Sequence, residues 1–274
     1  MIGPRISVVT PSYNQAKYLE ATIRSVLSQD YPNVEYIIID NGSTDGSTEI
    51  IRKYADQLAY CCFENYKSQS KALDQGFRLC TGDILGWLNS DDMFLPGALS
   101  SVAAYFQAHP KTQTLCGGGF IIDEHNRPIQ GFGTQTLGIR ATFNRLRFYA
   151  MDGIFSNCTF WRRSAYEAVG GIDPTLQFIM DRDLFTRLAQ YSRFARLPAF
   201  LACFRLHSEC KSMSLQHVRL EETRLFEKRY GATDYPFWLR RLLYWRYRLP
   251  ALATKIWWRS CRALNINHFQ TIPQ

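Results

Sequence analysis

The chain has 274 residues, is 46% hydrophobic and 20% charged, and carries a formal net charge of +8, which is ordinary globular material with room for a large core. Met1 to Arg5 lacks the apolar core and cleavage site of a secretory signal, and no uncharged apolar run reaches the length of a membrane span. Eight cysteines without a C-x-x-C spacing are expected to be buried thiols in a reducing cytoplasm, not disulfides or a zinc site.

Arg5 to Thr10 predicts a first strand, with Pro11-Ser12-Tyr13-Asn14 as its turn. Residues 15–28 carry Tyr18, Leu19, Ile23, Val26 and Leu27 at helical spacing. Tyr31-Pro32-Asn33 breaks that helix, and Val34 to Ile39 predicts a second buried strand. Asp40 follows it and opens a loop rich in Gly, Ser and Asp. An acid there can accept hydrogen bonds from a ribose or a base. The same loop also reads as a tight turn in which Ser43 or Asp45 caps the next helix. A helix through Ile50, Ile51 and Tyr54, a strand from Leu58 to Phe63 and a helix over 69–79 come next. This alternation implies a parallel sheet covered by helices on both faces.

Ile84 to Leu88 predicts a short buried strand that runs into Asn89-Ser90-Asp91-Asp92, and a helix begins near Pro96. Ligands bind at the carboxyl ends of strands in such sheets. Two hard oxygen ligands at that place suit Mg²⁺ or Mn²⁺, with substrate phosphates sharing the ion. The acids can equally cap the coming helix. There is no G-x-G-x-x-G after the first strand and no G-x-x-x-x-G-K-[ST], which disfavours a dinucleotide oxidoreductase and a P-loop NTPase. Gly117-Gly118-Gly119 has no lysine after it and reads as a bulge or a close approach to ligand.

The segments ISVVTPSYN, IIIDNGSTDGS, SKALDQGF and TGDILGWLNSDDMFLPGAL, in that order and spacing, resemble a family 2 glycosyltransferase of the GT-A fold. SNCTFWRRSAYEAVGGIDPTLQFIMDRDLFTRLA continues the likeness, which covers roughly residues 5–210. The resemblance implies a nucleotide-sugar donor, a divalent metal (Mn²⁺ or Mg²⁺) and inversion at the anomeric carbon. It implies Pro11, Tyr13 and Asp40 around the nucleoside, Asp91 as the metal-binding acid and Asp92 beside it. Asn89 stands where relatives carry the first acid of an Asp-x-Asp element; with Ser90 it is expected on the donor.

Residues 113–134 predict a strand and a hairpin around His125-Asn126-Arg127-Pro128, and Arg140 to Arg147 a short basic segment. Asn157 to Arg163 predicts another strand. Gly170 to Pro174 is a turn, and a helix then carries Asp181 and Asp183 in its first turn. Acids there complement the helix dipole, which suffices for Asp183. Asp181 matches the aspartate of the family's Glu-Asp element, which implies the general base that deprotonates the acceptor hydroxyl. Met180 replaces the acid before it. Phe200 to Phe204 predicts a late strand. Arg205-Leu206-His207 and Lys211 resemble the family's closing element, which implies His207 as a metal or diphosphate contact and Arg205 and Lys211 on the leaving group.

From Leu215 the pattern is helical, broken at Pro236 and Pro250. Residues 235–274 hold seven basic residues and no acid, so most of the net charge sits there, among Trp238, Trp245, Trp257 and Trp258. Such segments suit an anionic bilayer surface; a helical hairpin packed on the domain and a protein partner are the other readings. No nucleic-acid recognition motif is present.

The sequence therefore predicts a GT-A-type, Rossmann-like α/β domain over 1–214, with a mixed, mainly parallel sheet and helices on both faces. A basic-aromatic helical extension follows over 215–274. The expected activity is inverting transfer from a UDP-sugar to a glycan or lipid-linked acceptor in cell-surface polysaccharide assembly. The expected location is cytoplasmic, with peripheral contact through 235–262 at the inner membrane. Two rivals stay open: a non-catalytic nucleotide-sugar binder or scaffold, and a sugar nucleotidyltransferase. The second would need a Gly-rich, basic loop after the first strand, which Pro11 to Asn14 is not.

Overall fold

The computed structural model describes residues 3–132, 154–209, 211 and 216–231, and, between 236 and 249, residues 236–239, 241, 242, 245 and 249. The chain opens as the alternation predicts. β1 (Ile6–Ser12), α1 (Ala16–Leu27), β2 (Val34–Asp40), α2 (Ser47–Lys53), β3 (Tyr60–Phe63), α3 (Gln69–Leu79) and β4 (Ile84–Trp87) follow one another. β1 pairs in parallel with β2 and β4, and β2 with β3.

The second half is mixed. It comprises β5 (Met93–Phe94), α4 (Ala98–Ala108), β6 (Thr114–Ile122), β7 (Pro128–Phe132), β8 (Thr159–Arg162), α5 (Arg163–Ala168), α6 (Met180–Tyr191), β9 (Phe194–Arg205) and α7 (Gln216–Arg229). β8 lies antiparallel between β4 and β6, β9 runs parallel to β6, and β5 closes on β9 antiparallel. The sheet order is β3-β2-β1-β4-β8-β6-β9-β5, with β7 on β6.

Successive strand residues face opposite layers, so each central strand feeds two cores. Val8 and Ile38 meet Leu19 and Ile23 of α1 and Leu99 and Phe106 of α4. Val9, Ile37 and Ile39 meet Leu73 and Phe77 of α3 and Leu184 and Phe185 of α6. Phe226 of α7 joins this second core, so α7 packs on the body.

α3 approaches β1 so closely at Gly76 that a Cβ there would stand 2.4 Å from Val9 Cγ1. The glycine run in β6 is a bulge, as expected: its pairing with β9 shifts between Cys116 and Gly118 and again at Gly119. Its close neighbour is β9, because a Cβ on Gly117 would meet Leu201 Cδ1 at 2.4 Å. Cys62, Cys80, Cys116, Cys158 and Cys203 are buried thiols, and Cys61 is half-buried. The basic segment 140–147 and most of the tail lie outside the described residues. No helix among the described residues is long and apolar enough to cross a membrane.

Candidate functional site

The loops at the carboxyl ends of β1, β2 and β4 open onto a cavity of about 1100 Å³. Pro11 to Gln15 form one wall, Asn65 to Gln69 a second, and the turn before α6 with α7 a third. Asn14 (φ 49°) and Lys67 (φ 63°) line it in the left-handed region, which non-glycine residues enter at a cost and which clusters at ligand sites. The β2–α2 loop holds Asn14 there. Its Oδ1 accepts the Thr44 N–H at 2.9 Å, and its own N–H donates to Ser43 Oγ at 2.9 Å.

Pro11, Tyr13, Asn89, Ser90, Asp91, Asp181 and Lys211 all line this cavity. Asp40 does not reach it. Its carboxylate is fully buried and accepts the Gly42 and Ser43 N–H groups at 3.1 and 2.8 Å and the Ser43 hydroxyl at 2.7 Å. The turn captures the acid, and Asn41 takes the place on the cavity wall. Asp45 satisfies two helices, accepting the Ala16 N–H at 2.8 Å and the Ser47 N–H at 3.1 Å.

The acid loop separates its two aspartates. Neither caps α4, whose N-cap is Gly97 (φ 74°) with no side-chain cap bond. Asp92 is not at the cavity, contrary to its expected place in the metal set. Its oxygens, fully buried, accept the Arg205 N–H at 3.0 Å and the side-chain amides of Asn89 and Asn157 at 3.3 and 3.2 Å. Burial first, and the neighbouring Asp91 charge second, push its carboxyl well above the usual range. Asp91 faces the cavity, with Oδ2 at 3.0 Å from His207 Nε2. The His207 side chain is 2% exposed and lies 4.7 Å from the Tyr18 ring.

Arg205 also differs from expectation. It is buried beneath the loop, with Nε donating to the Asp91 carbonyl at 2.8 Å and Nη1 to Asn126 Oδ1 at 2.6 Å. Its guanidinium lies 4.8 Å from the Tyr18 ring centroid. Asn89 joins the two sides of the cavity floor. Its Oδ1 accepts from Trp87 Nε1 at 2.7 Å and from Gln69 Nε2 at 2.9 Å.

Asp181 stands in the first turn of α6 and lines the same cavity as Pro11 to Gln15. Burial pushes its carboxyl up, partly offset by the Arg182 N–H and the Lys211 charge. Lys211 donates to Gln69 Oε1 at 2.7 Å, and burial lowers its ammonium to about 8. Asp183 does not line the cavity: its fully buried carboxylate meets Arg187, the half-exposed Arg229 and the Tyr230 hydroxyl.

Two features escape sequence reading. The Ser12 hydroxyl lines the cavity, is buried and has no hydrogen-bond partner among the described residues. Only its position in the Pro11–Asn14 turn hints at a role. α7 supplies Arg219, Leu220 and Thr223 to the third wall.

The sequence model described as Glycosyl transferase family 2 matches residues 7–170, more than half of the chain. The chain belongs to glycosyltransferase family 2. Among its relatives is an uncharacterized glycosyltransferase of Nostoc sp., 29% identical over 230 residues that cover 80% of this chain and 70% of that one. The chain spans only 30–60% of the length of several uncharacterized Rickettsia glycosyltransferases. Two solved structures show this family 2 glycosyltransferase to have the GT-A fold. One is Staphylococcus aureus TarS 1-349 in complex with UDP-GlcNAc, with a TM-score of 0.63 at 18% identity over 89% of this chain and 71% of that one. The other is the Pyrobaculum calidifontis mannosyltransferase PcManGT in complex with GDP-Man and Mn²⁺, with 0.62 at 19% identity over 95% and 76%.

Proposed function

We propose that this family 2 glycosyltransferase moves a sugar, with inversion, from a UDP-sugar to a hydroxyl of a glycan or lipid-linked acceptor in cell-surface polysaccharide assembly. One observation carries the proposal: Asp91 and Asp181, distant in sequence, line one cavity. The nucleotide sugars in the TarS and PcManGT complexes support a donor of that class here.

Pro11, Ser12, Tyr13 and Asn41 take the nucleoside, with the unpaired Ser12 hydroxyl offering a hydrogen bond. Asn89 and Ser90 lie along the donor. Asp91 on the wall would offer a divalent cation a hard oxygen, and His207, buried behind it, a nitrogen within 3.0 Å of that carboxylate. Among the described residues no set of three or more His, Cys, Asp or Glu gathers to hold an ion, so Asp91 and His207 are the two residues that would hold it. When bound, such an ion would supply positive charge against the departing nucleotide.

Asp181 accepts the proton of the acceptor hydroxyl as its oxygen bonds the anomeric carbon and the bond to the diphosphate breaks. A positioned base of this kind contributes roughly 10²–10⁴ in rate. Lys211 faces the departing charge from the same wall. Arg205 serves by bracing the Asp91 loop from below.

The proposed location is the cytoplasmic face of the inner membrane, with peripheral contact through 235–262. Phe237, Trp238 and Trp245 are exposed, at 71%, 66% and 46%, in a segment with basic residues and no acid. Calorimetric titration of UDP and GDP, with Mn²⁺ or with chelator, tests the donor site. Micromolar binding of one nucleotide, abolished by chelator, supports the reading. No binding of either with Mn²⁺ present removes it.

A further inference from the structure

The helix that carries Asp181 begins without a local cap. Its N-cap residue is Ile179, which has no side chain able to accept from the first turn. The N–H groups that lead into α6 are instead taken by a residue more than forty positions away. Glu222 of α7 accepts the Gln177 N–H at 2.6 Å on Oε1, and the Phe178 and Ile179 N–H groups at 2.8 and 3.1 Å on Oε2. Its side chain is buried against that turn, and the residue is 8% exposed. A carboxylate at this end also suits the α6 dipole.

The rest of α7 fixes this contact. Phe226, one helical turn on, is 2% exposed in the core, and the Arg182 guanidinium lies 5.3 Å from its ring. At the far end Arg229 and Tyr230 reach the buried Asp183 carboxylate at 3.1 and 2.8 Å. α7 therefore grips α6 on both sides of Asp181, and all of α7 lies beyond the residues 7–170 that match the family.

We propose that Glu222 is a positioning residue for transfer: its carboxylate, bonded to the three N–H groups before α6, holds Asp181 at the acceptor side of the cavity. It acts through Asp181 and does not itself touch substrate. The inference rests on Asp181 being the base. A free 177–179 turn would let the Asp181 carboxylate wander, and small misplacements of a reacting group cost rate rather than donor binding.

The test uses the full chain with Glu222→Ala and Glu222→Gln, and Glu221→Gln as an exposed control on the same helix. Hydrogen–deuterium exchange is read on peptides covering 174–184. Nucleotide release is read with UDP-GlcNAc and GDP-mannose as donor probes in Mn²⁺, per site counted by nucleotide titration. The expected result is exchange about tenfold faster at 177–179 in Glu222→Ala. With it come a kcat lower by about tenfold or more and a donor KM within about threefold of the unchanged chain. Glu222→Gln, which keeps one acceptor oxygen, restores part of both losses, and Glu221→Gln changes neither. Unchanged exchange at 177–179, or an unchanged kcat per site with exchange raised, overturns the proposal. A wild-type protein that releases no nucleotide from either donor fails the transferase reading instead; the exchange arm then decides the brace by itself.

Discussion

Two adjacent acids, Asp91 and Asp92, have opposite fates because one faces the cavity and the other lies sealed under it. Removing Asp92 leaves the Arg205 N–H and the amides of Asn89 and Asn157 short of an acceptor. Each buried donor so orphaned costs about 1–3 kcal/mol. Asp92→Ala is therefore expected to lose several kcal/mol in urea denaturation, whereas Asp91→Ala stays near the wild-type midpoint and loses nucleotide affinity. The pH profile follows from Asp181 and Lys211, which line the same cavity. Burial raises the Asp181 carboxyl, so the proposed base is protonated at pH values where an ordinary aspartate is ionised. Turnover should rise with pH through a limb above the usual carboxylate range. It should fall again near 8, where Lys211 loses its proton and its charge. Asp181→Asn should abolish the lower limb; a limb that persists in that variant would assign it to another group.

At the scale of elements, the sheet was legible where pattern and burial agree. Val34 to Ile39 and Ile84 to Leu88 are apolar runs with turns at both ends, and both are central strands. β5 was not legible, since Met93–Phe94 is only two residues long and gains its identity from pairing with β9. β9 starts six residues earlier than its apolar run suggests. Arg196, Leu197 and Pro198 break the pattern, and Pro198 is accommodated where the β6 pairing jumps from Arg196 to Phe200. Local turn chemistry drew Asp40 away from the cavity, and a single sequence cannot weigh three nearby N–H and O–H donors against a ligand. Glu222 was equally invisible, because one acid on a polar helix resembles any other until its partners are known. The α3–β1 contact makes its own prediction. Gly76→Val places carbon on Val9 and should cost about 1–3 kcal/mol or more in denaturation. An unchanged midpoint would mean that α3 moves freely on the sheet.

For the whole molecule, charge is divided unevenly along the chain. The acidic and basic residues of 1–234 nearly balance, and the basic excess sits in 235–274 with four tryptophans. If that segment meets a membrane, the intact protein should bind vesicles containing phosphatidylglycerol. It should bind neutral phosphatidylcholine vesicles far less, and 0.5 M salt should release it. The double substitution Trp238→Ala with Trp245→Ala should weaken sedimentation with anionic vesicles by about tenfold, because each exposed indole contributes apolar burial at the interface. Binding to neither kind of vesicle would point to packing or a protein partner in place of lipid, and equal binding to both would remove the role of the basic residues.

The central claim is that Asp91 and Asp181 divide the work within one cavity, and a paired measurement addresses it directly. Nucleotide affinity with Mn²⁺ and donor turnover would be measured side by side for wild type, Asp91→Ala and Asp181→Asn. The expected result is that Asp91→Ala loses the nucleotide. Asp181→Asn should hold it within about threefold while turnover falls by roughly 10² or more. Turnover by Asp181→Asn within a few-fold of wild type, or nucleotide binding by Asp91→Ala at full affinity, would contradict it.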